Sequence, residues 1–130
     1  MVMKKKILVV DDELTICELL ECFLTPQYEI TTTSSGLEAL TWLESNLPDL
    51  IISDIQMPKM NGFEFLKEVR ITGFTKHTPV IMLSGQTESK ERVKCYRLGA
   101  QDYLTKPFNP EELEEVVKKN LNPLFFVSAW

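Results

Sequence analysis

An α/β fold is what this sequence predicts: a doubly wound, five-stranded parallel sheet with five helices on its two faces. Three observations carry that reading. Five short strand-like runs recur along the chain, among them Ile7–Val10, Leu50–Ser53 and Pro79–Leu83. Segments with apolar residues at helical spacing separate them. Proline, glycine and short polar residues punctuate the boundaries. Strand alternating with amphipathic helix implies a parallel sheet covered on both sides.

Ile7–Val10 is apolar and mostly β-branched, as a buried strand requires. Asp12 can cap the helix that follows. Leu14, Cys17, Leu20 and Leu24 recur at helical spacing, with Ile16, Leu19 and Phe23 beside them, until Pro26 stops the helix. Tyr28–Thr33 reads as the second strand. Ser34 or Ser35 can cap a helix carrying Leu37, Leu40, Trp42 and Leu43, which ends before Pro48. Leu50–Ser53 is the third strand, with Asp54 at its C-terminal end. A loop over 56–62 leads into a helix over Phe63–Arg70, with Phe63, Leu66 and Val69 on one side. Pro79–Leu83 is the fourth strand and opens into Ser84-Gly85. A helix over about 88–98 stops at Gly99, Gln101–Thr105 is the fifth strand, and Pro110 starts a last helix running to Asn120.

The chain has 130 residues, which fits one domain; residues 1–122 are taken as that domain and 123–130 as an apolar tail. A formal net charge of -5 excludes the basic footprint of a nucleic-acid binder. Three cysteines, Cys17, Cys22 and Cys95, form neither a disulfide frame nor a zinc spacing. The apolar run behind Lys4–Lys6 is too short for a signal peptide or a membrane span, so a reducing cytoplasm is expected.

The chemistry gathers at the strand ends. Ligands of an open parallel sheet bind outside the carboxyl ends of its strands. The first strand ends in Asp11-Asp12, the third in Asp54, the fourth in Ser84 and the fifth in Thr105-Lys106-Pro107. Asp11, Asp12 and Glu13 repel one another, and a divalent cation offsets that repulsion. Three carboxylates from two strands suit Mg2+, which keeps waters and accepts phosphate oxygens. Lys106 adds a fixed positive charge and Ser84 a hydroxyl donor. These are the parts that transfer and hold a phosphoryl group. The single histidine, His77, reads as a surface loop residue.

The segments ILVVDDE, DLIISDIQMPKMNGFEFL, PVIMLSG and GAQDYLTKPF resemble, in order and spacing, the receiver domain of two-component response regulators. The likeness spans roughly residues 4–121. It implies a flavodoxin-like or CheY-like sheet of strand order 2-1-3-4-5. It further implies that Asp54 is the phosphoacceptor, taking a phosphoryl group from a phosphohistidine on a sensor kinase or phosphotransfer protein. Asp11, Asp12, Asp54 and the backbone carbonyl of Gln56 would hold Mg2+. Lys106 would contact the phosphoryl group, and the Lys106–Pro107 bond would be cis. Ser84 and Tyr103 would form the switch, with the Tyr103 ring moving inward as Ser84 turns to the phosphate. The output face would be residues 87–121. Gln56 and Gln86 would tune the lifetime of the phosphoryl group. Read without the resemblance, Tyr103 is a half-buried strand aromatic.

Such a domain is better described as a self-dephosphorylating switch than as an enzyme. A haloacid-dehalogenase-type phosphatase needs a second aspartate two residues after its nucleophile, and Gln56 stands there. A flavodoxin-like nucleotide binder needs a glycine-rich loop after the first strand, where Asp11-Asp12-Glu13 stands. A binding module that keeps the fold without phosphorylation is the remaining alternative. The acidic residues Glu111, Glu112, Glu114 and Glu115 read as a solvated helix face with a favourable charge at its N-terminus. The tail 123–130 reads as the start of an output domain, a docking segment or a vector remnant; packing on the domain or on a second copy is the favoured reading, which leaves a homodimer open.

Overall fold

A computed structural model describes residues 3–85 and 88–122. Five strands and five helices alternate without interruption: β1 (Lys6–Val10), α1 (Leu14–Leu24), β2 (Glu29–Thr33), α2 (Gly36–Leu43), β3 (Leu50–Asp54), α3 (Gly62–Ile71), β4 (Val80–Ser84), α4 (Ser89–Arg97), β5 (Asp102–Thr105) and α5 (Pro110–Leu121). The strands form one parallel sheet of order β2-β1-β3-β4-β5. Both the fold class and the strand order match expectation.

Strand side chains alternate between two faces, and each face has its own core. Leu8, Val10, Ile51, Val80, Met82 and Tyr103 pack with Ala39, Phe65, Leu66, Val69 and Cys95 from α2, α3 and α4. Ile7, Val9, Ile52, Ile81, Leu83 and Leu104 pack with Cys17, Leu20, Leu24, Leu113 and Val117 from α1 and α5. β1, β3 and β4 carry apolar side chains in sequence without alternation because both of their faces are covered. Cys17 and Cys95 are buried and packed, as small hydrophobes.

Local details correct several expectations. The N-cap of α1 is Glu13, not Asp12, and no side-chain capping bond is found there among the described residues. The Asp11 carboxylate instead accepts the Glu13 N–H at 2.9 Å, and Asp12 is left exposed. Of the two serines expected to cap α2, Ser35 does so, accepting the Glu38 N–H. Leu14 and Leu37 point outward at 71% and 55% exposure, since each stands in the first turn of its helix, beyond the edge of the core. In α3 it is Phe65 that joins Leu66 and Val69 inside, while Phe63 is half-buried. A reciprocal pair of bonds between Asn61 and Glu64 caps this helix.

Arg70, at the end of α3, ties two corners together. Its guanidinium donates to the carbonyl of Gly99 at 3.0 and 2.8 Å, to those of Thr75 and Thr78, and to the Gln101 side chain. Gly99 has φ +103° and closes α4 in the left-handed region, as its position after the helix predicts. Burial lowers the Arg70 pKa, and its acceptors at this corner are carbonyl oxygens. No helix among the described residues is long and apolar enough to cross a membrane.

Candidate functional site

The strand register sets the site. Val10 pairs with Ser53, Asp54 with Leu83, and Ser84 with Thr105. The polar residues that follow β1, β3, β4 and β5 therefore share one edge of the sheet. A backbone bond from the Lys106 N–H to the Ser84 carbonyl, 2.7 Å, holds the last two strand ends together. The Lys106–Pro107 peptide is cis, as expected; Thr25–Pro26 is cis as well, which the sequence reading did not anticipate.

Asp11, Asp12 and Asp54 each present a carboxylate oxygen within 4.8 Å of the other two. Asp11 and Asp54 are buried, and Asp12 is exposed. Lys106 lies among the carboxylates. Its ammonium is 2.9 Å from Asp11, 3.1 Å from Glu13 and 3.3 Å from Asp54. Burial pushes the Asp54 carboxyl up to about 6 and the charge of Asp11 adds to the shift, while Lys106 and the Gln56 N–H act against it. Burial also raises Asp11, opposed by the Glu13 N–H and by Lys106. Burial by itself would lower Lys106; the Asp11, Asp54 and Glu13 carboxylates outweigh it and raise the lysine above its ordinary value.

This arrangement fits a hard divalent cation. The Oδ2 atom of Asp11 is fully enclosed and is met by the Lys106 ammonium at 2.9 Å, so one fixed cation faces the three clustered carboxylates. One lysine charge shared among Asp11, Glu13 and Asp54 leaves net negative charge at this edge, which a divalent cation would offset. Asp54 and Asp12 supply the other two oxygens from the adjacent strand end and from the next residue of the chain. Gln56 follows Asp54 by two residues, is exposed, and donates its N–H to Asp54 at 3.4 Å.

The loop after Asp54 has little freedom. Ile55 and Met57 are buried in the core. The Gly62 N–H bonds the Ile55 carbonyl at 2.7 Å. A side chain at position 62 would put its Cβ 2.3 Å from the Asp54 carbonyl oxygen and 2.6 Å from the Ile55 Cα, so glycine is required there by close approach.

Ser84 is fully buried and Tyr103 is 8% exposed, so the ring is more enclosed than its sequence position predicts. The two hydroxyls converge on Glu91 of α4. Ser84 Oγ donates to Glu91 Oε1, and Tyr103 OH donates to the same oxygen at 2.9 Å. Burial raises the Tyr103 phenol pKa, a hydrogen bond with Ser84 lowers it, and the Glu91 carboxylate raises it. Arg92 lies over the Tyr103 ring, 5.5 Å from its centre. Glu91 was absent from the sequence reading; a glutamate among the charged residues of a polar helix gives no signal by itself. Gln86 and the tail 123–130 lie outside the described residues.

Known proteins share this fold and sequence. The family model described as the response regulator receiver domain matches residues 7–118. The alkaline phosphatase synthesis transcriptional regulatory protein PhoP of Bacillus subtilis is 44% identical over 117 residues, which are 89% of this chain and 48% of that protein. The chain spans about half the length of the curated relatives it matches. The chemotaxis response regulator CheY4 of Vibrio cholerae has a structure with a TM-score of 0.86 and 38% identity, covering 92% of this chain and 100% of that one. The receiver domain of a sensor histidine kinase from Pseudomonas aeruginosa, at 27% identity and a TM-score of 0.84, covers 92% of this chain and 98% of that one; it holds a magnesium ion in its active-site cleft.

Proposed function

The chain belongs to the response regulator receiver domain family, and from that premise we propose that Asp54 is its phosphoacceptor. A receiver domain is a phosphorylation-controlled switch of two-component signalling. The observation that carries the assignment is the position of Asp54: buried at a strand end, flanked by Lys106 at 3.3 Å and within 4.8 Å of two further carboxylates.

An oxygen of the Asp54 carboxylate attacks phosphorus, the phosphorus–nitrogen bond of a phosphohistidine breaks, and the imidazole leaves with the bonding electrons. The product is an acyl phosphate on Asp54. Such transfer is mostly positioning and charge neutralisation. The raised pKa leaves Asp54 largely ionised at neutral pH, so the nucleophile needs no general base. Lys106 can exchange part of its contact with Asp54 for the phosphoryl oxygens without leaving its place. Asp11, Asp12, Asp54 and the Gln56 carbonyl are the residues that would hold Mg2+, which neutralises phosphoryl charge when bound. Water returns the carboxylate by attack at phosphorus, with Gln56 and Gln86 governing its access.

The Tyr103 ring already lies inward here, so the step left to the phosphoryl group is to draw the Ser84 hydroxyl toward itself. The face formed by α4, β5 and α5 reports that step. A sensor histidine kinase or a phosphotransfer protein is the proposed donor, an output domain or separate effector the proposed reader, and residues 1–122 the domain that acts.

Intact-mass spectrometry with Mg2+ and acetyl phosphate tests the assignment. One added phosphoryl group, missing with a chelator and in Asp54→Ala, is the expected result. Without an adduct, beryllofluoride follows as a phosphate mimic; an unchanged NMR spectrum then overturns the assignment in favour of a phosphorylation-independent binding module.

A further inference from the structure

We propose that Glu91 is a positioning residue, a latch whose carboxylate holds the Ser84 hydroxyl and sets how strongly a phosphoryl group must pull to move it. The proposal rests on Asp54 being the phosphoacceptor. Its independent support is the convergence of two hydroxyls on one oxygen. Ser84 Oγ and Tyr103 OH both donate to Glu91 Oε1, from two strands onto one helix.

A group biases a switch only through contacts that differ between its arrangements. The Tyr103 bond to Glu91 exists with the ring already inward, so it is available in both and largely cancels. The Ser84 bond does not cancel. A hydroxyl has one proton to donate. It can be given to Glu91 or to a phosphoryl oxygen, not to both. Phosphorylation therefore has to win that proton from a carboxylate, which is a strong, charge-assisted acceptor. Glu91 also lines an open hollow with Gln56, Met57, Asn61 and Phe63, so water can reach its carboxylate once Ser84 leaves. The release is reversible for that reason, and the helix that bears Glu91 belongs to the face that reports the switch.

The structure does not make Glu91 a ligand of the phosphoryl group or of the metal. It acts through Ser84, and the test follows that route. Beryllofluoride is titrated with Mg2+ into the full chain and followed by NMR. Glu91→Ala should bind the mimic about tenfold more tightly, the scale of losing one charge-assisted competitor. Glu91→Gln keeps an acceptor oxygen without the charge and should fall between the two. In a Ser84→Ala background both gains should vanish, because no hydroxyl remains to be contested. Unchanged or weaker binding by Glu91→Ala overturns the latch, provided the wild-type chain takes up the mimic. Equal gains that persist in Ser84→Ala also overturn it, since they mark simple removal of a negative charge. A wild-type chain that takes up no mimic overturns the phosphoacceptor assignment, and the latch with it.

Discussion

Lys106 and Asp54 stand 3.3 Å apart, and yet the Asp54 carboxyl is pushed from 3.8 up to about 6. The lysine loses because its charge is shared with Asp11 and Glu13, while burial and the nearby Asp11 charge both act on Asp54. A carboxyl whose pKa is raised on folding favours the folded state most below the unfolded value, and that advantage is lost as pH rises through the folded one. Without metal, the contribution of Asp54 to stability should therefore rise as pH falls from 7 to 4. Asp54→Asn should add roughly 2–3 kcal/mol at pH 7 and almost nothing at pH 4. Urea unfolding in chelator at the two pH values measures this; an equal gain at both would show that ionisation of Asp54 is not the cause.

Removing the lysine should do the opposite. Lys106→Met leaves Asp11 and Asp54 facing each other without a cation, at a cost of about 2–4 kcal/mol at pH 7. At pH 5 the loss should shrink, because Asp54 takes up a proton. Denaturation midpoints of the variant and the wild type at the two pH values give the comparison.

Divalent metal should stabilise the chain through the acidic cluster. A ligand at a hundredfold excess over its Kd adds about 2.7 kcal/mol. Asp12 is exposed and caps nothing, so Asp12→Ala alone should change stability by less than about 0.5 kcal/mol. It should still abolish most of the response to Mg2+. Thermal melts across a Mg2+ series settle this, and an undiminished response in Asp12→Ala would remove that residue from the site.

Gly62→Ala should destabilise the fold by about 3 kcal/mol or more, since its Cβ meets backbone rather than a yielding side chain. Gly73→Ala is the control, because nothing lies within 4 Å of the added atom. Similar unfolding midpoints for the two variants would show that the loop after Asp54 yields more readily than its packing implies.

Most of the fold was legible because it depends on period and punctuation. The runs at residues 7–10, 50–53 and 79–83 are buried on both faces, and such strands leave unbroken apolar text. The candidate site stood out because Asp54 and Ser84 end strands, while Asp11, Asp12 and Lys106 follow directly after them. What was missed lies between elements. Aspartate is a common helix cap, which points to Asp12 at the first turn of α1, but Asp11 already holds the Glu13 N–H. Leu14 and Leu37 fit the helical period, yet period does not tell where the neighbouring element ends. Glu91 meets partners seven and twelve positions away on two different strands, a relationship that exists only once the sheet has formed.

The attachment of α4 also decides how it can move. Arg70 grips the Gly99 carbonyl at the helix's far end, where Cys95, Leu98 and Ala100 sit in the core, while Glu91 fastens the near end through a pair of hydroxyls. The helix is thus a lever with its fulcrum at the arginine. Nine residues make an arm of about 13 Å, and a tilt of about 10° swings its tip by about 2 Å. Under the latch proposed above, loss of the bond at the tip would free the outer end of the arm while Arg70 keeps its grip on Gly99.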